Sequence, residues 1–317
     1  MKYMVGLQKY NTEKYIQAII KNKEKIYEVY FAWGDFPNGR SNPIIDDYYT
    51  SWELQDHQRE ILKRLSDEGI ALNLLLNANC YGKDSQSRTF FDKIGRSIDY
   101  ITEQYGLQSV TTTSPLIAKF IKNNFQNLEI RASVNMEIGT IQGMEYLKNY
   151  FDSYYIKREC NRELETIQKL HEWALENQKR LFMLANSGCM NFCSAHNFHD
   201  NLVVHENEIA QMDNAYEFHG ICHEYLKEEK NYHHLITDTN FIRPEDIEQY
   251  SAYITAVKLA TRVHNNPESV LNAYIRGSYS GNILNLLEPS HNIYPYVLEN
   301  GNPLKIVKLD VDVTGEK

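Results

Sequence analysis

Glycine and proline are scarce, 15 and 8 of 317 residues, against an average usage of about 12% for the two together. Long flexible linkers have little to be made from, and one compact unit is expected. No apolar run approaches the roughly 20 residues that cross a bilayer. The stretch Met1 to Tyr10 carries no apolar core of a secretory signal, so the expected location is the cytoplasm. A basic excess is also missing: 33 Lys+Arg face 42 Asp+Glu, a net charge of −9. That gives no support to a general nucleic-acid-binding surface, although arginines gathered at one mouth can be locally positive on an acidic protein. Neither a Gly-x-Ser-x-Gly elbow nor a His-Glu-x-x-His helix occurs, which leaves hydrolysis without a motif of its own. No Gly-x-Gly-x-x-Gly turn follows any predicted strand, against a doubly wound dinucleotide fold. The five cysteines are an odd number, better read as buried thiols or metal ligands than as disulfides.

What the chain does have is alternation. Short apolar or β-branched runs recur at Ile26–Phe31, Ala71–Asn77, Ser109–Thr113, Glu129–Val134, Ser153–Lys157, Leu181–Ala185, His233–Thr237 and Tyr253–Val257. Segments of helical periodicity such as Thr12–Asn22, His57–Glu68, Pro115–Asn124 and Glu163–Asn177 lie between them. Strand, helix, strand in regular succession is the pattern of α/β architecture, and eight such units predict a TIM-like (β/α)8 barrel. The expected organisation is a single domain over 1–317, with the barrel at about 24–265 and a C-terminal helix and tail at 266–317. Within that tail, Leu304–Val313 alternates like a strand. The longest connection, Asn186 to Tyr232, is rich in His, Cys, Asn and Asp and predicts a functional insertion after the sixth strand.

Barrel chemistry is assembled at the C-terminal ends of the strands, and these positions carry polar groups throughout. Trp33-Gly34-Asp35 and Gly39-Arg40 follow the first predicted strand, and Asn77, Asn79 and Cys80 the second; Asn135 and Glu137 follow the fourth. Arg158, Glu159, Asn161 and Arg162 follow the fifth, Asn186 and a cysteine pair the sixth, Asn240 and Arg243 the seventh, and Lys258 and Arg262 the eighth. Lys258, Arg262, Arg158 and Arg243 suit an anionic substrate group, a carboxylate or phosphate. In Ser187-Gly188-Cys189-Met190-Asn191-Phe192-Cys193 two thiols stand four residues apart. Cys222 and Cys80 can reach the same mouth, with Cys160 in reserve. Four thiolates are the usual ligand set of an iron–sulfur cluster, and tetrahedral zinc uses the same donors. Seven of the 11 histidines, His196, His199, His205, His219, His223, His233 and His234, also fall in this region. Cys189, Cys193, His196 and His199 make an alternative zinc set, His223 an alternative fourth ligand, and Cys189 or Cys193 beside His196 a nucleophile and base. Asn186 and His196 are placed to tune a cluster.

Several of these stretches together resemble a known family. Val257-Lys258-Leu259-Ala260-Thr261-Arg262 is similar to a Lys-Ile-Glu-Gly-Arg segment, with Ala260 and Thr261 in place of Glu and Gly, and a helix with Asn272-Ala273-Tyr274 follows it. Cys189 and Cys193 are similar to a cysteine-rich motif of the same family. Ser109–Pro115, Arg158–Leu164 and Phe241–Ile247 extend the likeness, which runs from Glu28 to about Leu287. The family is peptidase family U-32, the collagenase-like peptidases. The resemblance implies a (β/α)8-like barrel and, in several members, a 4Fe-4S cluster held by four cysteines. It also implies redox chemistry, oxygen-independent hydroxylation of a small or nucleic-acid-derived substrate, often in a heterodimer with a related barrel. A U-32-type hydrolase using zinc or a Cys/His pair, and a non-catalytic binding subunit, remain the other readings.

Overall fold

The computed structural model describes residues 1–40, 45–46, 49–232, 235–291, 296–299 and 305–308. Eight parallel strands close a barrel: β1 (Tyr3–Gly6), β2 (Ile26–Phe31), β3 (Leu72–Leu76), β4 (Ser109–Thr112), β5 (Glu129–Ala132), β6 (Ser153–Tyr155), β7 (Arg180–Leu184) and β8 (Ala256–Lys258). Each pairs with the next in sequence, and β8 pairs back onto β1. At that seam Tyr3 lies opposite Val257 and Met4 opposite Lys258. The Gly6 N–H donates to Thr261 Oγ1 at 2.7 Å, and the Tyr3 hydroxyl donates to the Tyr274 carbonyl at 2.6 Å. Only glycine fits at position 6, because a Cβ there would stand 2.4 Å from the Tyr30 ring.

The (β/α)8 expectation holds, with one strand exchanged. Of the expected strand His233–Thr237, His233 and His234 lie outside the described residues, and Leu235–Thr237 belongs to a helical turn, Leu235–Asp238. The eighth strand is instead Tyr3–Gly6, so the barrel starts at residue 3 rather than near 24. The run from Leu235 to Thr237 is short and apolar, and a run of that length packs as readily in one helical turn as in a strand. The tail strand is found at Lys305–Lys308, antiparallel to Tyr296–Glu299; residues 304 and 309–313 of that reading lie outside the described residues.

Helices α1 (Glu13–Lys21), α2 (Trp52–Asp67), α3 (Arg88–Tyr105), α4 (Pro115–Asn124), α5 (Ile141–Leu147) and α6 (Leu164–Glu176) alternate with the strands. Their starts are local chemistry. The side chains of Thr12, Ser51, Ser87, Ser114 and Thr140 each accept a backbone N–H of the first turn, and Pro115 adds a fixed φ at its helix entrance. In α3, Phe90, Ile94, Ile98, Ile101 and Tyr105 form the buried stripe, and Gly106 ends the helix at φ +66°, a left-handed turn that suits glycine. Among the described residues no helix is long and apolar enough to cross a membrane.

Inside the barrel, Met4, Tyr30, Leu75, Val134, Tyr155, Phe182, Leu184 and Ala256 pack together above a polar layer. The fully buried Arg131 ion-pairs with Glu28 and, at 3.0 Å, with Glu129. Its guanidinium carbon lies 4.0 Å from the Phe182 ring centre. Ser109 Oγ donates to Glu28 at 3.0 Å, and Asn73 Nδ2 donates to Ser109 at 2.7 Å. Burial disfavours the Arg131 charge, but Glu28 and Glu129 outweigh it and hold its pKa above the usual range.

The insertion between β7 and β8 carries α7 (His196–Val204) and short helices at Glu206–Ile209, Ile221–Tyr225, Glu229–Tyr232 and Leu235–Asp238. After β8, the helix Pro267–Arg276 packs against α1, tied by Lys14 to Glu268 at 3.0 Å. The chain then returns to the mouth. The Gly188 N–H donates to the Glu288 carbonyl, and the Glu288 N–H to the Asn186 carbonyl, both at 2.9 Å. Gly188 has no room for a side chain, since a Cβ would meet the Pro289 carbonyl oxygen at 2.1 Å.

Candidate active site

The C-terminal strand ends open into a cavity of about 70 Å3 walled by Tyr30, Leu75, Leu184 and Lys258 from the strands and by Arg40, Arg158, Arg262 and Glu288 from the loops. Lys258, the last residue of β8, is buried, its ammonium 4.2 Å from the Tyr30 ring centre and 5.3 Å from that of Tyr155. Burial, and then the Arg262 charge, push its pKa down to about 7, with Glu28 pulling the other way. Arg262 is pushed down to about 10 by burial and by Arg40, and it donates to Asn38 Oδ1. Arg40 lies 3.9 Å from Glu288, whose own pKa is raised by burial. Lys258, Arg262 and Arg158 thus meet as the strand-end reading expects, and Arg40 joins them. Glu288 is an addition that the strand ends do not announce: it comes from beyond the barrel, and no local motif marks it.

Arg158 also joins the mouth to the insertion. Its Nη2 meets His196 Nε2, and its Nη1 lies 3.7 Å from Cys189 Sγ. His196 Nδ1 lies 3.0 Å from Glu137 and Nε2 3.4 Å from Asp200. Burial, then the Arg158 charge, lower the pKa of this imidazole, which favours its neutral form.

Other expected site residues hold the scaffold. Arg243 does not reach the mouth: it pairs with Asp246 at 2.9 Å, at the start of the turn Pro244–Tyr250. Asn186 is fully buried; its Nδ2 donates to the Ala260 and Leu286 carbonyls at 3.1 and 2.9 Å, and its Oδ1 accepts the Ala260 N–H. Asn161 donates to the Leu184 and Asn240 carbonyls at 2.7 and 2.8 Å. Arg162 donates to the carbonyls of Ile236, Thr237 and Phe241. These side chains use up the backbone acceptors of buried loops, which would otherwise be left unpaired at a cost of about 1–3 kcal/mol each.

The thiols divide between sites. Cys193 and Cys222 line one cavity of about 730 Å3 with Met190, Ile221 and Tyr225. Cys189 stands close enough that its charge, after burial, raises the Cys222 pKa, with Cys193 adding to it. The Cys189 carbonyl accepts the backbone N–H and side-chain Nδ2 of Asn240 at 3.2 and 2.9 Å. Cys80 opens instead into a separate cleft with His205. Cys160 packs beside Gly139 in a third. Among the described residues no three Cys, His, Asp or Glu side chains come together closely enough to hold a metal ion. The donor set as it stands therefore does not fit a cluster with four thiolate ligands.

The fold and this polar mouth define a (β/α)8-barrel protein with a cationic pocket at the C-terminal strand ends. An uncharacterized protease of Methanocaldococcus jannaschii, MJ1657, is 25% identical over 293 residues, 88% of this chain and 81% of that protein. The solved structure of the U32 peptidase Mk0906 superposes with a TM-score of 0.56 at 13% identity, covering 81% of this chain and 92% of that one. No protein-family model matches. The chain is thus similar in sequence to that archaeal protease and shares its barrel fold with the U32 peptidase structure.

Proposed function

We propose that the protein is an enzyme whose barrel mouth binds a small anionic substrate, with Lys258 transferring a proton. One observation carries this reading: among the described residues, four cationic side chains, Arg40, Arg158, Lys258 and Arg262, line one small cavity with a single carboxylate, that of Glu288. Buried charge of one sign is costly unless compensated, and an anion supplies the compensation. An amine with a pKa of about 7 exists in both protonation states near neutrality, the condition for acid–base work. The relatives are named protease and peptidase, but a cavity of about 70 Å3 suits a small anion better than a polypeptide. Sulfate titrated calorimetrically into the protein is expected to bind, and Arg262→Gln to weaken it about tenfold or more. Equal binding by that variant, or none by the wild type, rejects the reading.

A second reading, a metal centre of iron–sulfur or zinc type for redox or hydrolytic chemistry, is favoured by the grouping of Cys189, Cys193 and Cys222. It supplies no catalytic step here, because among the described residues no three donor side chains stand close enough to hold a metal ion. Protein purified without oxygen is expected, on this reading, to hold iron and acid-labile sulfide in near-equal amounts, or zinc, lost in Cys189→Ser/Cys193→Ser. A folded, metal-free wild type refutes it.

A further inference from the structure

Beside the mouth stands a second constellation, assembled from distant parts of the chain. Cys80 follows β3, while His205 and Glu208 lie where α7 passes into the short helix Glu206–Ile209. The Cys80 thiol and the His205 ring line the same cleft, where His205 lowers the pKa of the thiol and the thiol raises that of the imidazole. His205 Nδ1 lies 2.9 Å from Glu208 Oε2, and the Gly82 N–H donates to Cys80 Sγ at 3.3 Å. With Nδ1 taken by the carboxylate, Nε2 is the ring nitrogen left for the thiol. Asn79 Nδ2 donates to Asp200 Oδ2 at 3.3 Å and ties the Cys80 loop to α7. These groups open into a cleft of about 510 Å3 with apolar walls from Phe36, Pro37, Val203 and Val204, within the range that takes a small molecule.

We propose that Cys80, His205 and Glu208 form a nucleophilic site for small ester or amide acyl donors. A thiol, a base facing it across one cleft and a carboxylate orienting that base supply the three roles acyl transfer needs. His205 takes the thiol proton as Cys80 Sγ bonds to the acyl carbon. The bond from that carbon to the leaving oxygen or nitrogen breaks, and the imidazolium returns its proton to the leaving group. Water, deprotonated by His205, then cleaves the thioester and restores the thiol. The net change is hydrolysis, and it consumes no oxidant or reductant. The site differs from the Cys189 or Cys193 pairing with His196 that the sequence brings to mind, and it goes beyond the anion-binding reading of the mouth.

The probe is p-nitrophenyl acetate, followed by nitrophenolate release and by peptide mapping of the quenched protein. One acetyl group per chain is expected on Cys80, at least tenfold faster than on any of the other four cysteines. His205→Gln is expected to slow that acetylation about a hundredfold, and Glu208→Gln to slow it less. Cys80→Ser is expected to abolish the burst while circular dichroism and the melting temperature stay near wild type. A burst that survives Cys80→Ser, acetylation spread evenly over the cysteines, or a folded His205→Gln variant that reacts within twofold of wild type overturns the proposal.

Discussion

Sulfate affinity is expected to fall about tenfold between pH 6 and pH 9. Sulfate stays a dianion across that range, so the change belongs to the protein. Lys258 is the group concerned: burial and Arg262 bring its pKa to about 7, and an anion in the cavity favours its protonated form. Binding therefore takes up a proton above the pKa of the free protein, and affinity declines as pH rises. A tenfold fall corresponds to an anion that raises the amine's pKa by about one. Arg262, Arg131 and Arg40 face the amine as like charges and Glu28 as the opposite one. Glu288 shares the cavity with its own pKa raised, and losing its proton as pH rises acts in the same direction. Two variants separate the groups. Lys258→Gln is expected to flatten the profile, whereas Glu288→Gln is expected to keep its fall around neutrality. A Lys258→Gln protein with the wild-type slope would show that the amine does not govern binding.

Arg131→Leu is expected to cost about 3–5 kcal/mol of stability, read from urea unfolding, because it strands buried Glu28 without its counter-ion. Glu129 suffers less, since Arg180 also pairs with it at 2.7 Å. Adding Glu28→Gln to Arg131→Leu is therefore expected to recover a large part of the loss. A single variant within about 1 kcal/mol of wild type would mean that water reaches this layer, and the buried pair would not be structural.

The barrel is legible in the sequence wherever a strand is long enough to be read against its neighbours. Ile26–Phe31 has the same limits in sequence and structure, and the helical stripes between strands follow from their spacing. Tyr3–Gly6 is a four-residue strand with no turn signal before it, and pairing with β2 on one side and β8 on the other makes it one. Of the site, Lys258 and Arg262 are readable because one ends a strand and the other follows four residues on, both at the same barrel mouth. Arg243 has the same chemistry and a similar position, but a carboxylate three residues on takes it, which a strand-end argument does not weigh. Glu288 and the Cys80–His205 contact depend on loops that return from far along the chain, and such meetings leave no local trace. The cysteine spacing pairs Cys189 with Cys193, whereas Cys222 and Cys80 are assigned from strand ends, and a strand-end argument cannot tell that Cys222 shares a cavity with Cys193 while Cys80 opens into another.

Closure at the β1–β8 seam also sets the order of events in synthesis. A chain emerging from the ribosome carries β1 with one edge unpaired until residues 256–258 appear, and an open parallel edge is a sticky one. The strand that covers this edge brings Lys258 with it. Any shorter nascent chain lacks both the strand that closes the barrel and the buried amine of Lys258, so closing the fold and furnishing the mouth with that charge are one step.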